Sequence, residues 1–415
     1  MNSVRFSDFN LSEPILRAIQ DEGYTTPTPI QEKAIPEILQ GRDVMAAAQT
    51  GTGKTAAFCL PMIELLSSRK GPGPRALVLT PTRELALQIQ DSIGAYGRHV
   101  RLTSAVILGG APMGPQIRAI ARRPDVLVAT PGRLLDLIRQ KHVNLEKVEI
   151  LVLDEADRML DMGFIHDVRK IVSMIRARRQ TLLFSATLST AVQDLASTML
   201  TDPIAVRSAP DGSMASKVDH KVLFVDRDNK LELLIDVLRS DNVQRTLVFT
   251  GTKHRADRLV RYLERAGISS AAIHSNKSQN QRQRNLGAFH SGRISVLVAT
   301  DIVARGIDVD RITHVVNYEL PKDAENYVHR VGRTARAAES GIAISFCDAD
   351  EIPLLRGIEK LIRQTLPAVH EHPFHSGRVA SMRQDRPAAS HPTPFRRGRR
   401  PQNRARSRQP LARGA

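Results

Sequence analysis

The sequence predicts two α/β domains in tandem, each a parallel sheet covered on both faces by helices, followed by a basic tail. Three observations predict this class. Short, continuously apolar runs alternate with amphipathic helical stretches, as strands buried on both faces require. The alternation stops in the stretch TDPIAVRSAPDGSMAS and then starts again. Near the C-terminus the aliphatic residues thin out, and arginine and proline take over. The 415 residues leave room for about two or three domains of ordinary size.

Taken in order, the first domain, residues 1–205, carries the strand-like runs DVMAAA, RALVLT, TSAVIL, DVLVAT, EILVLD and QTLLFSAT. Between them lie helical patterns such as TRELALQIQDSIGAY, where Leu85, Ile89 and Ile93 recur at helical spacing. Residues 206–219 read as a linker. The second domain, residues 220–370, carries HKVLFV, RTLVFT, SAAIHS, ISVLVAT, HVVNYE and GIAISF, with helices such as KLELLIDVLRS and HRADRLVRYLERAG. No short-period repeat is visible, so the doubling is at the scale of whole domains.

Sixty Lys and Arg against forty-three Asp and Glu give +17, but the excess is uneven. Residues 1–207 and 208–370 each carry a net +4, whereas residues 371–415 hold eleven Arg, no Lys and only Glu371 and Asp385. That tail has too few aliphatic residues to offset the entropy of ordering, so it is expected to be disordered. The preferred reading is an arginine-rich arm that grips phosphates without reading sequence; a solvating tail is the plainer one. Tryptophan is absent and aromatics make up 4%, which argues against sugar-stacking platforms and against base stacking as the main binding mode. Cys59 and Cys347 stand far apart in apolar surroundings. They give neither a disulfide framework nor metal-ligand spacing, and fit a reducing cytosol. No run of eighteen apolar residues occurs, so no membrane is expected and a cytoplasmic protein is.

Ala48, Gln49, Thr50, Gly51, Thr52, Gly53, Lys54 and Thr55 follow one apolar run and open a helix. Glycines there let backbone N–H groups approach phosphate oxygens, and the helix N-terminus adds partial positive charge. Lys54 suits the β- and γ-phosphates, and the Thr55 hydroxyl suits Mg²⁺. Asp154 and Glu155 come directly after EILVL, at the carboxyl end of a strand, where open α/β sheets bind ligands. One carboxylate there can hold Mg²⁺ and the next can orient a water for attack on the γ-phosphate. Alone, either motif has an unremarkable alternative, a glycine turn or a solvated acidic loop. Together they spell a nucleoside triphosphate site.

In the second domain, His329-Arg330-Val-Gly-Arg333-Thr-Ala-Arg336 spaces arginines every three residues. A basic surface helix is the plain reading. The sharper one has Arg333 and Arg336 reach the γ-phosphate as fingers from across a cleft.

With these motifs in this order, residues 3–365 resemble the DEAD-box ATP-dependent RNA helicases of superfamily two. IHSNKSQNQRQRNL and RAAESGIAISFCDADE look most like the bacterial RhlE-like subgroup. The resemblance implies two RecA-like domains and ATP with Mg²⁺ in the cleft between them. It implies that Gln31, in the segment containing Tyr24, hydrogen-bonds adenine, with Phe6 beside the base, and that Gly306 and Asp308 meet the nucleotide from the second domain. It implies that Asp157, Ser185, Thr187 and His329 link the acidic site to RNA-dependent closure.

RNA contacts are implied at Pro81, Thr82, Arg83, Gly109, Gly110, Thr130 and Arg133 in the first domain. In the second they are implied at Thr252, Gln279, Arg282, Thr300 and Asp301. Without the family, Thr82 and Thr130 read as helix N-caps and Phe6 as core. Ala335 departs from the family's usual glycine in the arginine motif. RNA is thus the expected partner, with ribosome-assembly or RNA-decay complexes as the candidate setting. A non-unwinding RNA clamp and a superfamily-two DNA helicase remain the alternatives.

Overall fold

The computed structural model describes residues 4–48, 51–69, 71–175, 178–207, 218–240, 243–301, 312–334 and 341–384. The first sheet is built from β1 (Val44–Ala47), β2 (Ala76–Leu79), β3 (Ser104–Ile107), β4 (Val126–Ala129), β5 (Ile150–Leu153), β6 (Gln180–Ser185) and β7 (Ile204–Arg207). Its order is β3-β4-β2-β5-β6-β1-β7, and every pairing is parallel. The pattern of β2 explains the architecture. Ala76 and Val78 pack into the core on one face, Leu77 and Leu79 into the core on the other, and all four are fully buried. Such a strand needs helices on both sides.

The second sheet holds β8 (Val218–Phe224), β9 (Thr246–Phe249), β10 (Ser270–Ile273), β11 (Val296–Ala299), β12 (His314–Asn317), β13 (Gly341–Cys347) and β14 (Ala368–Val369). Its order, β10-β11-β9-β12-β13-β8-β14, repeats that of the first strand for strand. All twelve apolar runs predicted as strands are strands. Two were not predicted. β7 is a half-buried edge strand inside what composition marks as linker, and β14 is only two residues long.

β7 runs to Arg207 and β8 starts at Val218; residues 208–217 lie outside the described residues. The tail was expected to be disordered from residue 371, yet residues 371–384 pack on the second domain. His375 bridges Val225, the Ser376 N–H donates to the Phe224 carbonyl at 3.0 Å, and a helix spans Gly377–Gln384. Val379 on it is fully buried. Arg383 pairs with Glu359, donates to the Leu366 carbonyl at 2.7 Å and sits 5.7 Å over the Phe224 ring. A few anchors therefore order a segment that bulk composition leaves unordered. The remainder, 385–415, lies outside the described residues.

Candidate functional site

Strand order builds the site. β1 and β5 both neighbour β6, so the glycine-rich loop after β1 and the acidic turn after β5 flank the end of β6 at Ser185. The loop runs into the helix Lys54–Ser67. Gly51 and Gly53 take φ of +84° and +87°, in the region only glycine enters cheaply. At Gly53 a Cβ would also lie 2.4 Å from the Gln31 Nε2. Gln31 is buried. Its carbonyl accepts from the Thr28 N–H at 2.9 Å and its amide donates to the Gly53 carbonyl at 3.1 Å. Thus the segment predicted to read adenine is tied directly to the phosphate loop. Lys54 is buried and its Nζ donates to the Ala48 carbonyl at 2.5 Å.

Asp154 is 2% exposed. Burial pushes its carboxyl up to about 7; Lys54 opposes the shift, and the neighbouring Glu155 adds to it. A buried carboxylate is a hard-oxygen donor, and a cation beside Asp154 would offset the cost of burying its charge. Glu155 has φ of +53°, an unfavourable backbone for a non-glycine residue. Its carboxylate accepts from Arg158 Nη1 at 3.0 Å. Arg158 is itself 4% exposed and was missed in the sequence; the i, i+3 spacing on the helix Ala156–Asp161 was the available signal.

Asp157 spans β5 and β6. One oxygen accepts from the Ala186 and Thr187 N–H groups, each at 3.1 Å, and from the Thr187 hydroxyl at 3.4 Å. The Asp157 N–H donates to the Ser185 hydroxyl at 3.3 Å. Ala186 and Thr187 in turn line a cavity of about 180 Å³ with Glu325, Val328, His329 and Gly332 of the second domain. Asp157, Ser185 and Thr187 are thus joined by hydrogen bonds, and His329 lines the same cavity as Thr187.

In the arginine motif, Arg330 is the structural member. It forms a two-pronged pair with Asp301 at 2.5 and 2.9 Å, donates to Asn317 at 3.0 Å and lies 4.9 Å over the Phe249 ring. Arg333 is buried, with its Nε donating to the His329 carbonyl at 3.3 Å. Gln49, Thr50, Gly306, Asp308, Ala335 and Arg336 lie outside the described residues.

Of the predicted adenine flank, Phe6 is buried in the core and meets Phe9 edge-on at 6.1 Å. Tyr24 is at the surface, its hydroxyl 3.1 Å from that of Tyr96. Thr82 and Thr252 act as N-caps, accepting from Leu85 and Arg255 N–H groups at 3.4 and 3.3 Å. The Arg83 guanidinium lies against Gly110, where a Cβ would come within 2.2 Å of it. Arg133 donates to the Ala111 carbonyl at 3.1 Å, so the loop at Gly110–Ala111 touches both arginines, which sit on two different helices. Buried Gln116, another residue missed in the sequence, holds that loop by bonding both backbone groups of Leu108 at 3.0 Å. Pro81, Thr130 and Thr300 are buried at the ends of β2, β4 and β11.

Gln279, Arg282 and Asp301, expected as RNA contacts, face protein groups in this structure. Gln279 and Arg282 are buried and turn to Glu84 of the first domain, at 3.3 and 2.6 Å. Asp301 is committed to Arg330. Gln279 Nε2 and one Arg282 Nη reach Glu84, whereas Gln279 Oε1 and Arg282 Nε are buried without a partner.

Two family models match in sequence: DEAD/DEAH box helicase over residues 28–195 and helicase conserved C-terminal domain over 229–338. The ATP-dependent RNA helicase DBP2 of Candida albicans is 43% identical over 376 residues, 87% of this chain, which spans 66% of that protein's length. The ATP-dependent RNA helicase SrmB of Escherichia coli is 41% identical over 375 residues, covering 89% of this chain and 84% of SrmB. Among solved structures, S. cerevisiae Dbp5 bound to RNA and ADP BeF3 aligns with a TM-score of 0.80 and 31% identity, over 88% of this chain and 95% of that one. Motifs, fold and both halves agree, and this chain belongs to the DEAD-box ATP-dependent RNA helicases.

Proposed function

We propose that the chain couples ATP hydrolysis in its first domain to local separation of RNA strands held across the two domains. The observation that carries this is the Asp157 carboxylate. It joins the turn that bears Asp154 and Glu155 to the Ala186–Thr187 backbone, which faces His329 of the second domain. A change at the γ-phosphate is then a change at the interdomain cavity.

Backbone N–H groups of the loop 48–55 and Lys54 would take the phosphates, releasing Lys54 from the Ala48 carbonyl. Gln31 has a second amide hydrogen and a second carbonyl lone pair to offer adenine while it keeps Gly53 and Thr28. Glu155, oriented by Arg158, would position and deprotonate the attacking water. Thr55 and Asp154 would hold Mg²⁺, which when bound neutralises phosphate charge. Arg333 would supply positive charge from the second domain, and Glu84 would latch the closed arrangement through Gln279 and Arg282.

RNA would lie over the strand ends at Thr82–Arg83, Gly109–Gly110, Thr130–Arg133, Thr252 and Thr300, gripped through its phosphates and 2′-hydroxyls. The relatives named RNA helicases and the RNA-bound neighbour favour RNA over a DNA substrate. Two buried free cysteines support a reducing, cytoplasmic setting, and among the described residues no helix is long and apolar enough to cross a membrane.

The test is ATP turnover with single-stranded RNA or DNA, together with strand release from a short RNA duplex. RNA-specific stimulation with strand release is expected. Equal stimulation by DNA would refute the substrate, and RNA-stimulated turnover without strand release would leave a clamp. Truncation after residue 384 should flatten the salt dependence of RNA binding, because the arginines of 385–415 would no longer displace counterions. An unaltered slope would reduce that segment to a solubility aid.

A further inference from the structure

The helix Lys253–Arg265 starts at Thr252, whose hydroxyl caps it, and buries Ala256, Leu259 and Leu263 on one face. On the opposite face His254, Arg258, Arg261 and Arg265 stand exposed. Spacings of four, three and four residues set them in a single row along the helix, about 16 Å long at the usual rise. Neighbouring charges are engaged elsewhere. Arg255 pairs with Glu319, and Asp257 with His274 and Lys277, each at 2.9 Å. Arg258, Arg261 and Arg265 form no ion pair among the described residues, and Glu264 is the one carboxylate left beside them. Exposed Arg239 donates to the Ala266 carbonyl at 3.1 Å, which adds a cation at the far end of the row. Cations near a helix C-terminus offset its dipole, and that accounts for Arg265 and Arg239. It does not account for Arg258 and Arg261 in the middle, where like charges three and four residues apart repel one another. Next to them Tyr262 is 39% exposed, one of four large apolar side chains so exposed among the described residues.

We propose that Arg258, Arg261, Arg265 and Tyr262 bind single-stranded RNA that continues past the segment held between the two domains. The inference rests on the RNA-facing role given above to Thr252 and extends it, because the helix that Thr252 caps carries the basic row away from that contact without a break. Arginines in such a row take successive phosphates and read no sequence. An unpaired strand also offers open base faces, and an exposed tyrosine ring among cations is a stacking platform for one of them. A duplex keeps those faces covered, and phosphate binding by itself has no use for the ring. Charge and ring together therefore select a single strand. The surface gives the strand flanking the clamped segment a second hold, on the second domain alone.

The test compares two oligouridylates, of about 6 and about 20 nucleotides, the first short enough to be held by the clamp alone. Their binding to the full-length protein is measured with a non-hydrolysable ATP analogue across a salt series. Arg258→Ala/Arg261→Ala/Arg265→Ala should weaken the long RNA about tenfold or more at low salt and flatten its salt slope by about 2, the counterions of three phosphates on a single strand. Affinity for the short RNA, and the ATP turnover it stimulates, should match the parent. Tyr262→Ala should weaken the long RNA by about fivefold or more with its slope kept, and Tyr262→Phe should restore it. All of these side chains are exposed, so melting temperatures should stay at the parent value. Long-RNA affinity and slope equal to the parent's in the triple variant would overturn the proposal, leaving a solvated face or a seat for an acidic protein. Equal losses on both RNAs would also overturn it, by making the row part of the clamp. A parent that binds neither RNA would overturn the functional reading first and this inference with it.

Discussion

The two domains have one topology and opposite assignments of charge. β1 of the first sheet corresponds to β8 of the second, β5 to β12 and β6 to β13. After β1 come glycines and Lys54; after β8 come Val225 and Asp226, with no glycine loop. Each domain also buries a lysine. Lys54 bonds a carbonyl, whereas Lys230 sits between Asp348 at 3.0 Å and Glu351 at 2.5 Å. Beyond β5 stand Asp154 and Glu155. Beyond β12 stands Glu319, which accepts from the Thr250 hydroxyl at 2.8 Å and the Gly251 N–H at 2.7 Å and pairs with Arg255. A shared sheet thus fixes where strand ends lie, while the residues placed there decide whether an end works on a ligand or stiffens the domain. Charges compensated within the protein do the stiffening.

That division can be broken experimentally. The largest effect is expected at Glu155. Glu155→Gln should lower RNA-stimulated ATP turnover by about 10³-fold, in the range of a lost general base, with ATP binding retained. Glu319→Gln should instead act on the stability of the second domain. Comparable turnover losses in both would erase the distinction.

Lys230→Met comes next. It leaves two buried carboxylates without their cation, and breaking such a pair costs about 3–5 kcal/mol, read as a lower denaturation midpoint. An undiminished midpoint would mean that Lys230 does not neutralise them.

Asp154 gives a pH signature. Its folded pKa, about 7, lies above the ordinary 3.8, so the ligand-free protein binds this proton more tightly folded than unfolded. That contribution is complete below about pH 4, falls as pH rises toward 7 and is gone above it. Melting of Asp154→Asn should therefore gain on the parent between pH 4 and 7, by up to about 4 kcal/mol. Parallel pH curves would contradict it.

The smallest effect is expected at the joint between domains. Glu84→Ala should weaken RNA stimulation about tenfold, the cost of roughly 1.4 kcal/mol of lost closure, and leave ATP affinity of the first domain unchanged. RNA stimulation equal to the parent's would remove Glu84 from closure.

The sequence carried most of this because strands buried on both faces leave long apolar runs, and phosphate loops need glycines at fixed spacing. What it hid depends on contacts between distant residues. Glu84 looks like one acidic residue at the start of a helix, and its partners Gln279 and Arg282 lie nearly two hundred positions away. Arg158 resembles any helix arginine until Glu155 is seen against it. β7 lies in a Pro/Gly/Ser stretch because an edge strand needs only one apolar face. The helix Gly377–Gln384 rests on buried Val379 and on Arg383, too little apolar signal to stand out from its surroundings.

The joint at Glu84 also bears on how readily the domains part again. An apolar seam of the same size would gain with every Å² covered and would resist separation. A carboxylate held by an amide and a guanidinium exchanges its partners for water at little net change. In the proposed cycle such a joint would let the two domains meet and part without a deep trap at either end.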